Sequence, residues 1–139
     1  MGILARKILT PIEPREDFQD YALWRRLVVT TVGELLEIYR RPLIMPMTIW
    51  HLPYFEEVVG GLRRIEPDLH HVCLTAPAET IQQRLQRRGG IPGDWAWVRA
   101  ERCCAAFQSP LFARQIAAEA ATPEELAATI LAGFPSRHN

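Results

Sequence analysis

The chain has 139 residues, 48% hydrophobic and 23% charged, which suits one compact globular domain and is short for two. Its 16 basic and 16 acidic side chains cancel, so no global field draws it toward nucleic acid or anionic lipid; nucleic acid is not an expected partner, and a membrane contact would have to come from a local patch. No stretch approaches the ~20 apolar residues of a transmembrane segment, and the opening Met1 to Lys7 is too short for a secretory signal; cytoplasmic localisation is expected.

Taken in chain order, the residues predict a short helix from Met1 to Ile8, ended by Pro11 and Pro14. Asp20 stands where an N-cap would start a helix over 21–40, and Trp24, Leu27, Val28, Leu35 and Ile38 mostly follow the three-or-four spacing of one face. Arg41-Pro42 stops that helix. Leu43 to Ile49 is a short apolar run without polar alternation, the pattern of a strand buried on both faces of a parallel sheet. Pro46 argues against a central position unless it lies at the strand's end or a bulge. Helical spacing returns over 53–64 through Phe55, Val58, Val59 and Leu62. A second strand is expected from Leu69 to Ala76, with Val72 and Leu74 on one face and His71 and Cys73 on the other.

A helix over 77–88 then carries Ile81 and Leu85, and a flexible Gly89-Gly90-Ile91-Pro92-Gly93 break follows. Asp94 offers an N-cap for a helix to about Phe107, and residues 115–118 are a third strand candidate. Thr122-Pro123-Glu124-Glu125 has the form of a capping box with proline at the first helical position. The helix behind it is expected to reach about Phe134, with residues 135–139 frayed. This alternation predicts an α/β fold with a parallel sheet in a single domain, 1–139.

A phosphate-binding loop needs the spacing G-x-x-x-x-G-K-S/T, so that bare amides wrap the phosphates ahead of a lysine and a hydroxyl. Lys7 is the one lysine and no glycine cluster precedes it. Arg84, Arg87 and Arg88 end one helix, and Arg99 and Arg102 lie on the next across the glycine break. Arginine forks suit phosphate oxygens and a hinge between basic helices suits a closing lid; the alternative is a set of solvated arginines, some favouring a helix C-terminus. Asp17 to Arg25 mixes aromatic and polar side chains that could line a pocket for an amphipathic ligand, or could be a capped helix start with Trp24 in the core. Thr48 and His51 stand at a predicted strand end, where a parallel sheet opens its crevice. His70-His71 would point to opposite faces of a strand, so no metal site is expected. Cys73, Cys103 and Cys104 are an odd, sparse set read as reduced thiols.

The ordered set Asp17-Phe18-Gln19, Tyr21, Leu23-Trp24-Arg25, Pro46-Met47-Thr48-Ile49 and Tyr54-Phe55 resembles the tunicamycin-resistance proteins. His70-His71, Leu74, Glu79-Thr80, Arg84-Leu85, Arg88, Trp95-Ala96, Arg102-Cys103, Ser109-Pro110 and Phe112 continue the resemblance over nearly the whole chain. It implies an ATP-binding, kinase-like protein on a three-layer parallel α/β sheet of the P-loop nucleotide-kinase type, tied to resistance to a nucleoside antibiotic, with peripheral membrane contact in some members. By the resemblance, Arg84, Arg88 and Arg102 would approach the nucleotide phosphates around a lid-like segment at 87–107, and Thr122 would lie by the adenine. Phe18, Gln19, Tyr21, Trp24, Arg25 and Thr48 would face the acceptor or drug.

The family's first strand and phosphate loop would precede the part resembling Met1-Gly2, so an N-terminally truncated fold with about three strands is expected. ATP and magnesium would serve an intact member, and neither is expected to bind this chain tightly. A sheet without its middle strand could close on itself, recruit another chain, or belong to a protein that starts further upstream; the last is the expectation. Two further readings stand beside the kinase-like one: a non-catalytic module for a nucleoside-like small molecule, and an interaction protein that completes its sheet with a partner strand.

Overall fold

A computed structural model describes residues 2–112 and 114–134; the frayed end expected over 135–139 lies outside them. The chain packs as two compact units, Met1–Leu69 and His70–Asn139.

The first unit is helical. Helix α1 (Gly2–Leu9) leads to a 3-10 turn (Phe18–Asp20) and then to α2 (Ala22–Tyr39), which ends on Arg40 in the left-handed conformation. Trp24, Val28 and Val32, one turn apart, are the buried apolar side chains of α2, as a 3.6-residue period requires. Opposite them run α3 (Leu52–Phe55), a π-helical turn (Glu56–Gly60) and α4 (Gly61–Ile65). Phe55, Val58, Val59 and Leu62 are buried there, each contributing about 1.5–3 kcal/mol by leaving water. Close approach of the two helices rests on small residues. A Cβ on Gly61 would stand 2.9 Å from Val29 Cγ2, and one on Gly33 would stand 3.1 Å from Ile65 Cδ1.

The second unit holds the sheet, which has two parallel strands, β1 (Cys73–Thr75) and β2 (Gln115–Ala117), with Cys73 opposite Gln115. A parallel pair needs a long crossover, and α5 (Ala78–Arg87) and α6 (Trp95–Ala106) supply it, packed on each other. Helix α7 (Pro123–Ala132) closes the unit. The buried apolar set is Cys73, Ala100, Cys103, Phe112 and Ala118. Phe112, edge-on to Phe107 at 5.0 Å, is the one large side chain buried among the described residues of this unit, so this core is thin.

The three-layer α/β P-loop sheet expected from the sequence is corrected by this architecture. The described residues are 55% helix and 5% strand, and residues 43–49 form no strand. A strand buried on both faces needs a sheet to join and layers covering it above and below. The run instead leaves Ile44 89% and Leu43 44% exposed, and Pro46 has no N–H to give a ladder. The second expected strand shortens to Cys73–Thr75, burying Cys73 and leaving Leu74 exposed. The local signals fare differently. Asp94 caps α6 through Trp97 N, and the Thr122 box makes both of its bonds. Asp20, however, does not cap α2; Asp17 caps the preceding 3-10 turn, and Tyr21 holds the N-cap position of α2 without a side-chain bond. No helix among the described residues is long and apolar enough to cross a membrane.

Candidate functional site

The densest polar constellation lies in the first unit and grows from the 3-10 turn. Asp17 Oδ1 accepts the N–H of Gln19 at 3.0 Å, which bends the chain so that Gln19 turns inward and is 7% exposed. Its Nε2 donates to Thr48 O at 2.8 Å, stitching the turn to the 43–49 segment. One turn into α2, the side chain of Arg25 leans back toward the helix N-terminus, and Nη1 donates to Gln19 O at 2.6 Å. Arg25 Nε and Nη2 donate to the two carboxylate oxygens of Glu57 at 2.6 and 3.3 Å. The guanidinium carbon lies 4.0 Å from the Tyr54 ring centre.

Burying a charge costs several kcal/mol unless it is paired and hydrogen-bonded, and Arg25, 7% exposed, meets both conditions. The π turn explains the partner: its extra residue presents Glu57 to Arg25 while Val58 and Val59 both stay buried.

Aromatic rings continue from this hub. Tyr54 packs on His51 at 4.2 Å, His51 meets Trp50 at 5.9 Å, and Phe18 stands edge-on to Trp24 at 4.9 Å. Burial, and then the charge of Asp20 and a hydrogen bond to it, push the Tyr54 phenol above its ordinary pKa. Two buried polar atoms of this region, Gln19 Oε1 and His51 Nδ1, have no hydrogen-bond partner among the described residues.

The six side chains expected to face a drug or acceptor thus fall within one region. They differ in access. Tyr21 is 1% exposed, with its hydroxyl 3.4 Å from Thr10 Oγ1, and Trp24 is 5% exposed. Both are core side chains, whereas Phe18, His51 and Tyr54 are half-buried and Thr48 is exposed. Sequence reasoning missed Glu57. A glutamate in an amphipathic helix reads as a solvent-facing residue, and nothing in its neighbours points to an arginine so far away. An open groove of about 440 Å³ along α2 and α4, lined by Thr30, Gly33, Glu34, Glu37 and Ile65 among others, shares no residue with the cluster.

In the second unit, Arg84 Nη2 donates to Ala118 O and Glu119 O at 2.7 and 3.0 Å. These bonds tie α5 to the loop after β2 and engage Arg84 in structure. Arg88 and Arg102 are exposed. Arg99 lies over Trp95 at 4.7 Å, and its pKa is lowered chiefly by burial, with Arg102 lowering it further. Thr122 Oγ1 accepts from Glu125 N at 3.2 Å, so the hydroxyl placed near adenine by the resemblance is engaged in capping. Burial raises the pKa of all three thiols, which holds them protonated near neutral pH. His70 stacks on Phe134 at 4.3 Å. Among the described residues, no group of three or more His, Cys, Asp or Glu side chains could hold a metal ion.

No family model, curated protein or solved structure matches this chain.

Proposed function

We propose that the first unit is a non-catalytic binding module for a nucleoside-like small molecule, held at the Gln19, His51 and Tyr54 platform beside the Arg25–Glu57 pair. The observation that carries this reading is the pair of buried, unpartnered polar atoms, Gln19 Oε1 and His51 Nδ1. Each costs about 1–3 kcal/mol while unsatisfied, and a ligand that bonds to them recovers that cost. Gln19 Oε1 accepts, and Nε2 has a second N–H beyond the one given to Thr48 O. That donor and acceptor pair matches the amide edge of a nucleobase, and the Tyr54, His51 and Phe18 rings offer an apolar surface for the base. The resemblance to tunicamycin-resistance proteins favours the same ligand class.

An ATP-dependent, kinase-like activity has less support. The chain has no glycine-lysine phosphate loop, and Arg84 is occupied by two backbone carbonyls.

Titration calorimetry of the full chain with tunicamycin, uridine and ATP tests the reading. Tunicamycin and uridine are expected to bind, and His51→Phe, which keeps the ring and removes Nδ1, to weaken both roughly tenfold. Absence of binding to the folded chain, or ATP binding tighter than uridine, would overturn it.

A further inference from the structure

Where α4 packs on α2, an open groove of about 440 Å³ follows the two helices. Gly33, Glu34 and Glu37 share one stripe of α2, at the three-and-four spacing of a single helical face. Ile65 ends α4, and Glu66 follows it as the C-cap. Gly33 presents bare backbone on the α2 wall, and a Cβ there would stand 3.1 Å from Ile65 Cδ1. Ile65 stays 46% exposed, and Leu36 joins it in the lining. The floor of the groove is therefore apolar.

The charges around that floor have one sign. No basic side chain lines the groove, and none stands in the last turn of α2, whose terminal carbonyls add to the negative potential. Arg40 and Arg41 follow that helix without lining the groove. Glu66 is engaged, with Oε1 accepting the N–H of Asp68 at 3.3 Å. The carboxylates of Glu34 and Glu37 are exposed and make no hydrogen bond or ion pair with another described residue. Among the described residues, no group of three or more His, Cys, Asp or Glu side chains could hold a metal ion, so the charge on this rim calls for organic cations.

An occupant has to bring cations and apolar surface together. The described residues of the first unit contain no strand, so an extended peptide finds no ladder to join. A helix fits the shape: residues 30–37 of the wall run about 10 Å, close to two turns. On such a helix, basic side chains three and four positions from an apolar one reach the acidic rim while the apolar one meets the floor. We infer that this groove is a docking site for a basic amphipathic helix of another protein. Its apolar stripe lies over Ile65 and the bare backbone of Gly33, and its cations pair with Glu34 and Glu37. The groove shares no residue with the Gln19, His51 and Tyr54 platform, so the inference is independent of the ligand reading given above.

Fluorescence anisotropy of a labelled probe helix, titrated with the full chain, tests the inference. The probe is a peptide of leucine, lysine and alanine, with lysines three and four positions from each leucine. It is expected to bind, and to bind more weakly as salt is added. Glu34→Gln with Glu37→Gln, and separately Ile65→Gln, should each weaken binding at least roughly tenfold. Glu16→Gln with Glu124→Gln removes the same charge from positions outside the groove and should leave binding unchanged. All five side chains are exposed, and far-ultraviolet circular dichroism checks that each variant is folded. No binding of the probe would overturn the inference, as would binding indifferent to the groove substitutions or an equal loss in the control pair. A probe with glutamate in place of lysine that binds as tightly, or free spermine that displaces the lysine probe at similar concentration, would overturn it too.

Discussion

Arg25 Nε lies 2.6 Å from Glu57 Oε2 although the two residues stand 32 positions apart. The pair joins α2 to the π turn, and it is asymmetric: the side chain of Arg25 is 9% exposed and that of Glu57 49%. The buried member depends on the open one. Glu57→Gln should therefore destabilise the chain by about 1–2 kcal/mol, less than the loss of a fully buried partner because water reaches the glutamate. Arg25→Met, which removes the charge itself, should remove most of the further effect of Glu57→Gln. A double-mutant cycle read by urea denaturation checks this, and a coupling near zero would show the pair to be inert.

Gly61 sits where α4 passes α2. A methyl there would stand 2.9 and 3.2 Å from the two γ-carbons of Val29, a β-branched side chain with one favoured helical rotamer. Gly61→Ala should cost about 1–3 kcal/mol by overpacking, and Val29→Ala should relieve it in the double variant. Gly60 is a control, since a Cβ there would meet Glu56 Oε2 at an ordinary 3.7 Å. Thermal melts of the three variants decide the matter.

The start of α7 rests on Thr122 and Glu125, whose two reciprocal bonds are 3.2 and 2.8 Å long. Thr122→Ala should lower stability by about 1 kcal/mol, and Thr122→Asn should keep most of it. Because the buried core of this unit is small, hydrogen exchange in α7 should report the loss before global unfolding does.

Asp94 accepts from Trp97 N at 2.8 Å and from Ile91 N at 3.1 Å. Those backbone bonds, Trp97 first, hold its carboxyl below the ordinary value. A depressed carboxyl stabilises the fold when ionised, so its contribution is present above pH about 4 and is lost as pH falls through the folded value. Wild type should exceed Asp94→Asn in urea midpoint at pH 7, and the gap should narrow toward pH 3. A gap that ignores pH would mean that the charge of the cap does not matter.

These predictions divide by how much of their basis was legible in the sequence. The Thr122 box and the Asp94 cap could be read directly, because each depends on atoms within three residues of one another. The apolar face of α2 could be read from spacing only in its first turns: Trp24 and Val28 are buried as expected, but Leu35 and Ile38 are 37% and 66% exposed and Val32 is buried in their stead. The cluster of Phe18, Gln19 and Thr48 was legible only as a set of residue types, and its bond from Gln19 Nε2 to Thr48 O spans 29 positions. Glu57 carried no signal at all. The expected strand over 43–49 failed because an apolar run specifies burial or pairing without specifying a partner. No ladder forms there, and Ile44 stays in water.

The sequence by itself therefore determined the helices, two of their caps and the lack of a glycine-lysine phosphate loop within these 139 residues. These follow from local backbone chemistry or from residue identity alone. The tertiary structure decided that the sheet among the described residues has two short strands, that Tyr21 and Trp24 belong to the core, and that Arg25 pairs with Glu57. Each of those is a long-range matter, set by which surfaces meet and which buried groups find partners, and no local pattern of residues encodes it.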